Sequence, residues 1–318
     1  MRLTVLVTGA AGYLGAQLVT ALLNDARNVG RVIAVDQRPI AAEHPRLLAV
    51  VADIRDDALP ALVAAERPDV IVHLAAIVTP ARDSSREFEY SVDVLGSRNV
   101  LSAAVAGGVR RLIVSSSGAA YGYHADHPAW IDESAPLRGN EEFSYSRHKR
   151  LVEELLADAR ERHPELEQTV FRVSTILGRR TRNQITALFD KPRLVSVAGG
   201  DDRFVLIWDE DAVRCFHKAV VGEATGIYNL CGDGAITMKE MAGLMQKPHL
   251  ELPAWLIRRA LWLGQRLGIS RYGPEQVNFL RYRPVLSNAA LKRDFGFIPR
   301  KTSREVFEFY LDNRHGDA

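Results

Sequence analysis

A doubly wound α/β fold is predicted by two features of the sequence. Short apolar runs alternate with longer stretches of helical character through the first half of the chain, and a glycine-rich turn directly follows the first run. The predicted strands are Leu3–Thr8, Val32–Val35, Leu47–Val51, Val70–Leu74, Leu112–Ser115 and Gln168–Val173. The predicted helices cover residues 13–26, 57–66, 86–107 and 145–162. Because strands that alternate with helices form right-handed crossovers, the sequence predicts a parallel sheet of the Rossmann type with helices on both faces.

The composition of the chain argues against several kinds of binding partner. The 318-residue chain has 41 Lys and Arg against 39 Asp and Glu, and this near balance gives no support for nucleic acid as a partner. Two cysteines without metal-ligand spacing predict neither a disulfide framework nor a metal site, and a cytoplasmic location is expected. The apolar stretch Leu252–Leu267 contains three arginines. It is too short and too charged to span a bilayer, so no membrane partner is expected.

The glycine-rich turn predicts a dinucleotide site. Gly9, Gly12 and Gly15 stand between the first strand and the first helix. Glycines at this spacing permit a tight turn, a close approach of backbone to a pyrophosphate, and close packing of helix on sheet. The N–H groups and the positive dipole end of the helix then face the phosphates.

The second strand predicts the choice of dinucleotide. It ends at Asp36, 21 residues past Gly15, where a carboxylate accepts hydrogen bonds from ribose hydroxyls and repels a 2′-phosphate. NAD is therefore favoured over NADP, although Arg38 is placed to meet a 2′-phosphate. The other residues expected to contact the cofactor are Tyr13, Leu14, Asp53, Ile54, Leu74, Ala75 and Ala76.

Two parts of the chain are expected from these patterns. Residues 1–177 are predicted to form the dinucleotide-binding domain, and residues 178–318 a smaller α/β substrate-binding part that is interleaved with the first around one cleft. The elements predicted in the second part are the strands Phe204–Trp208 and Gly226–Leu230, the helices Glu210–Val221 and Met238–Met245, and an apolar helix near 253–268.

The candidate catalytic residues are Ser117, Tyr145 and Lys149. Tyr145 and Lys149 are four residues apart, which places both side chains on one face of a helix. A neighbouring ammonium favours the phenolate, and we expect it to bring the pKa of the phenol toward the working range of a base. Ser117 follows a buried strand at the edge where such sheets bind ligands, so its hydroxyl is placed to hydrogen bond a substrate oxygen.

With these motifs in this order, the chain resembles the extended short-chain dehydrogenase/reductase family. The resemblance is closest to its NAD-dependent epimerase/dehydratase branch, which includes UDP-glucose 4-epimerase-like proteins. It implies that Tyr145 is the acid/base, that Lys149 binds the nicotinamide ribose, and that Ser117 polarises the substrate oxygen. It also implies a homodimer.

Three departures from the family pattern bear on function. Asp93 replaces an asparagine that helps to organise the active site. Gly118 and Ala119 replace the Asp-Glu pair of the dehydratases, so dehydration is not expected. Ser174 and Thr175 replace an asparagine of the nucleotide-sugar enzymes, which puts the contact to a nucleotide diphosphate in doubt.

Further residues bear on the class of substrate and on whether a metal is expected. Arg203 and Arg283 stand where the family often keeps diphosphate-binding arginines, whose guanidinium groups suit phosphates. The segment Trp255–Leu263 is unusually apolar. It is interpreted either as the wall of a hydrophobic substrate pocket or, more simply, as a helix buried in the core or in an oligomer contact. His73 and His148 are interpreted as structural or exposed, and no metal is expected.

Three hypotheses on function follow. The first is a sugar-nucleotide epimerase that takes a hydride from the sugar C4, keeps NAD bound and returns the hydride to the opposite face. The second is an NAD(P)-dependent dehydrogenase or ketoreductase of an apolar, hydroxysteroid-like alcohol or ketone. The third is a dinucleotide-sensing protein without catalysis, against which the intact Ser117, Tyr145 and Lys149 argue.

Overall fold

The computed structural model describes residues 2–81, 83–183, 185–267, 273–274 and 276–314. The strands are β1 (Leu3–Thr8), β2 (Val29–Asp36), β3 (Leu47–Val51), β4 (Val70–His73), β5 (Arg111–Ser117), β6 (Glu167–Val173), β7 (Thr175–Leu177), β8 (Leu194–Val197), β9 (Arg203–Phe204), β10 (Leu206–Trp208), β11 (Gly226–Leu230), β12 (Ile236–Thr237) and β13 (His249–Leu252). The α-helices are α1 (Tyr13–Asn24), α2 (Ala58–Glu66), α3 (Arg86–Tyr90), α4 (Ser97–Ala106), α5 (Ser144–Arg162), α6 (Thr186–Phe189), α7 (Asp209–Val221), α8 (Met238–Leu244), α9 (Ala254–Arg266), α10 (Gln276–Arg281), α11 (Ala289–Arg293) and α12 (Ser303–Asn313).

Seven parallel strands form the central sheet in the order β11-β6-β5-β4-β1-β2-β3. The central strands are buried on both faces because they are continuous apolar runs, as parallel strands covered by helices require. In β1, for example, Val5, Leu6 and Val7 are fully buried. The predicted Rossmann-type fold is confirmed.

The seventh strand comes from the second part of the chain. The sequence predicts Gly226–Leu230 as a strand of that part, and the structure pairs it with β6 of the central sheet in parallel. Helix α7, which precedes it, packs against α1. Residues from both halves of the sequence therefore build the layer that carries the first helix.

The helix predicted over 86–107 is continuous but not uniform. Residues Ser91–Gly96 form a π-helical turn between α3 and α4, a local widening that is common at functional sites. A Cβ atom at Gly96 would lie 2.6 Å from Ile54 Cδ1, so a larger residue there would require the Ile54 side chain to move. The turn places Asp93 in the protein interior, where it is 4% exposed.

The smaller part has three pairs of short strands, β7 with β10, β9 with β12 and β8 with β13. Its core contains Phe189, Phe307 and Tyr310. The apolar helix is α9, and none of its described residues is buried. Trp255 is 60% exposed and Trp262 is 50% exposed, so the expectation of a helix buried in the core of the chain is wrong. No helix among the described residues is both long and apolar enough to cross a bilayer.

One buried ion pair joins α5 to the sheet. Arg172 of β6 and Glu153 of α5 form three hydrogen bonds of 2.8 to 3.1 Å. Their side chains are 5% and 3% exposed. Ser116 also donates a hydrogen bond to Glu153. Removing one partner of such a pair leaves the other charge buried without compensation.

Glu153→Gln is therefore expected to lower the free energy of unfolding by about 3 kcal/mol, because the Arg172 cation stays in the interior. Urea unfolding at neutral pH measures this loss. The matched control is Glu154→Gln, since Glu154 is 53% exposed in its pair with Arg150 and should cost less than about 1 kcal/mol. Equal losses in the two variants would contradict the assignment of a stabilising role to the buried pair.

Candidate active site

One cavity of about 480 Å³ lies at the carboxyl ends of the central strands, a volume typical of a small-molecule site. The predicted site residues that line it are Gly9, Gly12, Tyr13, Leu14, Gly15, Leu74, Ala76, Ser117, Tyr145, Arg203 and Arg283. The predicted residues outside this lining are Asp36, Asp53, Ile54, Ala75 and Lys149. Helix α9 contributes nothing to the lining, so the hypothesis that it forms the pocket wall is wrong.

The turn after β1 has the geometry that a pyrophosphate needs. Gly9 has a φ of +70°, and a Cβ atom there would lie 2.7 Å from the backbone nitrogen of Ala75. A Cβ atom at Gly15 would collide with the carbonyl oxygen of Gly9. Helix α1 begins after Gly12 without a side-chain cap, which leaves N–H groups of its first turn free for an anion. These residues fit a bound dinucleotide phosphate.

Asp36 lies at the end of β2, beside the glycine turn. Its Oδ2 accepts a hydrogen bond of 2.9 Å from the backbone N–H of Ala11, and its Oδ1 accepts one of 3.0 Å from the N–H of Arg38. The guanidinium of Arg38 also turns back to Asp36, with an Nε–Oδ1 distance of 3.4 Å. The carboxylate is thus fixed beside the turn, as the expected ribose contact requires.

Asp53 and Ile54 follow β3. The Arg55 guanidinium donates hydrogen bonds to Asp53 and holds the pKa of that carboxyl below its usual range. Ile54 packs on Gly96, and its carbonyl accepts a 2.8 Å hydrogen bond from Asn99. The arrangement ties this loop to the π-helical turn.

Tyr13 connects the glycine turn to the second part of the chain. Its hydroxyl donates a 2.6 Å hydrogen bond to Asp209 and accepts one of 3.0 Å from Thr181. Thr181 and Asp209 could not be predicted as partners of Tyr13, because nothing in their local sequence links them to a residue 168 and 196 positions earlier. Together they hold the aromatic ring at the edge of the cavity.

Ser117, Tyr145 and Lys149 converge at the end of β5. Tyr145 is the second residue of α5, is partly buried and lines the cavity, whereas Lys149 lies one turn further along the helix and is 8% exposed. The Lys149 Nζ lies 5.6 Å from the centre of the Tyr145 ring and donates a 2.8 Å hydrogen bond to the carbonyl of Ser115. The Ser117 hydroxyl lines the same cavity and accepts a 3.1 Å hydrogen bond from the backbone N–H of Ala119. The three side chains are therefore grouped as the sequence predicts.

Burial outweighs the lysine in setting the acidity of the phenol. Desolvation raises the pKa of Tyr145 to about 12, the hydrogen bond with Ser117 opposes this rise, and the charge of Asp93 adds to it. Burial also lowers the pKa of Lys149. The expectation that the neighbouring Lys149 brings the pKa of the phenol toward the working range of a base is therefore wrong, because burial raises that pKa.

Arg283 is a buried cation without a hydrogen-bonding partner among the described residues. Its guanidinium stacks between the rings of Phe204 and Phe279, at 4.0 and 4.4 Å from their centres. Its Nε and Nη2 make no hydrogen bond there, and burial lowers its pKa to about 10. Because the rings cover the faces of the planar group, its N–H donors are left to bind an anion in the cavity.

Arg203 and Ser174 complete the lining on the substrate side. Arg203 is already paired with Asp201, with distances of 2.8 Å from Nε and 2.5 Å from Nη2. Ser174 lines the cavity, and its buried hydroxyl has no hydrogen-bond partner within the described ranges. Among the described lining residues, the Arg283 guanidinium and the Ser174 hydroxyl are thus buried polar groups with atoms that lack a hydrogen-bond partner.

Both histidines singled out by the sequence are buried. His73 is 4% exposed and His148 is 1% exposed. Their burial agrees with the interpretation as structural residues and excludes the interpretation as exposed residues. His148 Nδ1 lies 3.0 Å from Asp93 Oδ2. Among the residues that the structure describes, no group of three or more His, Cys, Asp or Glu is placed to hold a metal.

A doubly wound sheet with this glycine turn at its ligand edge defines a dinucleotide-binding protein. The model of the NAD-dependent epimerase/dehydratase family matches residues 5–231. The chain belongs to that family, which confirms the resemblance seen in the sequence and agrees with NAD as the cofactor.

Relatives extend over nearly the whole chain. An uncharacterized protein of Mycobacterium bovis is 24% identical over 318 residues, which cover 98% of this chain and 84% of the relative. The Bordetella bronchiseptica enzyme WbmG, solved with NAD and UDP, has a TM-score of 0.74 at 18% identity and covers 98% and 94% of the two chains. UDP-glucose 4-epimerase of Thermotoga maritima, solved with UDP-glucose, has a TM-score of 0.73 at 19% identity and covers 98% of both. At these identities the solved structures establish the shared fold.

Proposed function

We propose that this protein is an NAD-dependent sugar-nucleotide epimerase-like oxidoreductase that acts at a secondary alcohol carbon through Ser117, Tyr145 and Lys149. The observation that carries the proposal is the buried Arg283 guanidinium, which lies in the same cavity as Tyr145 and has no hydrogen-bond partner for its Nε and Nη2 in the part of the chain that the structure describes. A buried cation is costly unless it is paired. A diphosphate supplies both the charge and the acceptor oxygens that Arg283 lacks.

The glycine turn, Asp36 and the ends of β4 and β5 would hold NAD. When bound, NAD would supply a hydride acceptor and donor, so that a hydride taken from one face of the carbon and returned to the other would invert that carbon with no net oxidation. Tyr145 would remove the proton of the substrate hydroxyl and give it back in the reverse step. Ser117 would donate a hydrogen bond to the reacting oxygen, and Lys149 would stabilise the phenolate by its charge.

The apolar-alcohol dehydrogenase is the second candidate, and an aromatic cluster favours it. Tyr123, Phe143 and Phe279 line the cavity, with ring centres 5.0 to 5.6 Å apart. An apolar ligand against this cluster would leave Arg283 unpaired, however. A nucleotide sugar satisfies both features, because its base and ribose can lie on aromatic rings while its diphosphate meets the guanidinium.

A cytoplasmic location is part of the proposal. Cys215 and Cys231 are both buried and unpaired. Free thiols are usual in a reducing compartment, so this observation favours the cytoplasm over an oxidising environment.

Tyr145→Phe tests the chemistry. The change removes the proton-transferring oxygen, so interconversion of UDP-glucose and UDP-galactose should fall by roughly 100-fold or more, while NAD binding persists. Coupled assays measure turnover, and dinucleotide fluorescence measures binding. Tyr228→Phe is the matched control, because the Tyr228 hydroxyl bonds the Thr225 carbonyl away from the cavity. Unchanged turnover in Tyr145→Phe would rule out the assigned role.

Arg283→Leu tests the substrate class. The variant removes an unpaired buried cation, so the fold should not lose stability, but affinity for UDP should fall about 10- to 100-fold. Isothermal titration calorimetry with UDP measures the loss, and Arg98→Leu, at an exposed position on α4, is the control. If the wild-type protein binds no UDP, or if Arg283→Leu binds it equally well, the sugar-nucleotide assignment is wrong and the apolar-alcohol hypothesis takes its place.

A further inference from the structure

Asp93 and His148 form a buried polar pair beside the candidate catalytic lysine. Their side chains are 4% and 2% exposed, and the distance from Nδ1 to Oδ2 is 3.0 Å. His148 directly precedes Lys149 on α5, and Asp93 lies in the π-helical turn. The pair therefore fastens the middle of the catalytic helix to the neighbouring helical layer.

The second oxygen of Asp93 holds the loop after β4. Its Oδ1 accepts a 2.8 Å hydrogen bond from the backbone N–H of Ile77. The residues on either side, Ala76 and Val78, line the cavity. One carboxylate thus fixes both the catalytic helix and a loop of the cofactor side.

A chain of hydrogen bonds extends from the same place to the glycine turn. Ser97 donates to the Asp93 carbonyl, and its oxygen lies 2.9 Å from His73 Nε2. His73 Nδ1 lies 2.7 Å from the hydroxyl of Thr8, the residue before Gly9. Burial, with the charge of Lys149, lowers the pKa of His73 to about 3, so this ring is neutral. Because Ser97 donates its hydroxyl proton to the Asp93 carbonyl, it must accept from the Nε2–H of His73, and the Thr8 hydroxyl then donates to Nδ1 of the same ring.

Two carboxylates, Asp93 and Glu153, act on the Lys149 cation. Glu153 is occupied by Arg172 through three hydrogen bonds. Asp93 is consequently the carboxylate left to balance Lys149, and the Nδ1 of His148 is placed 3.0 Å from it, within hydrogen-bonding distance.

We propose that Asp93 and His148 form a positioning pair, in which Asp93 is the fixed counter-charge of Lys149 and His148 orients that carboxylate. The inference rests on the proposed function, in which Lys149 and Tyr145 carry out the chemistry. The asparagine usual in the family would provide a similar shape without the charge. In this chain the Asp93 side chain therefore both holds the helix that carries Lys149 and balances the charge of that lysine.

The pair has an effect on the phenol that can be measured. The Asp93 carboxylate stabilises the cationic form of Lys149 and disfavours the phenolate of Tyr145. The titratable and charged groups around the pair and the phenol are Tyr90, Tyr123, His73, Arg147, Lys149, Glu153 and, behind Glu153, Arg172. The variants below that probe the pair change only Asp93 or His148 and leave all of these neighbours in place.

Ionisation of Tyr145 is the readout, because it needs no substrate. Stopped-flow pH jumps of the full chain record the near-ultraviolet phenolate absorbance before alkaline unfolding begins. Subtracting the same trace from Tyr145→Phe in each background isolates one of the nine tyrosines. Dinucleotide binding by each variant checks that it is folded. If epimerase turnover is absent, the proposed function fails and this titration is unaffected.

Asp93→Asn keeps the shape and removes the charge, so the phenol should ionise at a pH lower by roughly one pH unit. His148→Asn keeps an N–H donor at the position of Nδ1–H and should titrate like the wild type. His148→Ala frees the carboxylate and should produce a smaller shift in the same direction as Asp93→Asn. Asp57→Asn, at an exposed position, should have no effect.

Two results would overturn the inference. An unshifted titration in folded Asp93→Asn would show that Asp93 exerts no field on the site. A titration of folded His148→Ala that matches the wild type would show that His148 does not orient the carboxylate. If His148→Ala does not fold, a titration of His148→Asn that differs from the wild type would overturn the orienting role in its place.

Discussion

Burial of positive charge at the carboxyl edge of the sheet governs how this site is built. Three cations lie there out of water, and each needs an anion. Arg172 has Glu153, and Lys149 has the Ser115 carbonyl together with the charge of Asp93. Arg283 has only aromatic rings on its two faces. The chain thus satisfies the cations that support the catalytic helix and leaves one cation for a ligand.

The same edge joins the two halves of the sequence. β11 completes the central sheet beside β6, α7 packs on α1, and Asp209 binds the hydroxyl of Tyr13. The two halves of the sequence are therefore joined by strand pairing, by helix packing and by a side-chain hydrogen bond. Asp93 adds to this coupling, because its two oxygens hold α5 and the loop after β4.

The fold could be predicted from the sequence because its signals are local. Apolar runs of Val, Ile and Leu mark buried parallel strands, and the glycines mark a turn that no larger residue can form. The partners of distant residues could not be predicted. Gly226–Leu230 reads as a strand, but nothing in it reveals that it pairs with β6. Arg203 pairs with Asp201, a carboxylate only two residues away in the sequence, whereas nothing in the sequence shows that Arg283 is buried with no hydrogen-bond partner for its Nε and Nη2 among the described residues. The acidity of Tyr145 failed as a prediction for a similar reason, since the spacing of Lys149 says nothing about burial.

An enzyme that returns the hydride to the same substrate has no need to exchange its cofactor, and this is the central claim of the proposed function. Denaturing the purified protein and identifying the released dinucleotide by chromatography and mass tests it most directly. The account predicts nearly one NAD per chain, carried through purification without addition. An empty protein that binds added NADH or NADPH reversibly would contradict it and would favour a dehydrogenase that exchanges its cofactor at each turnover.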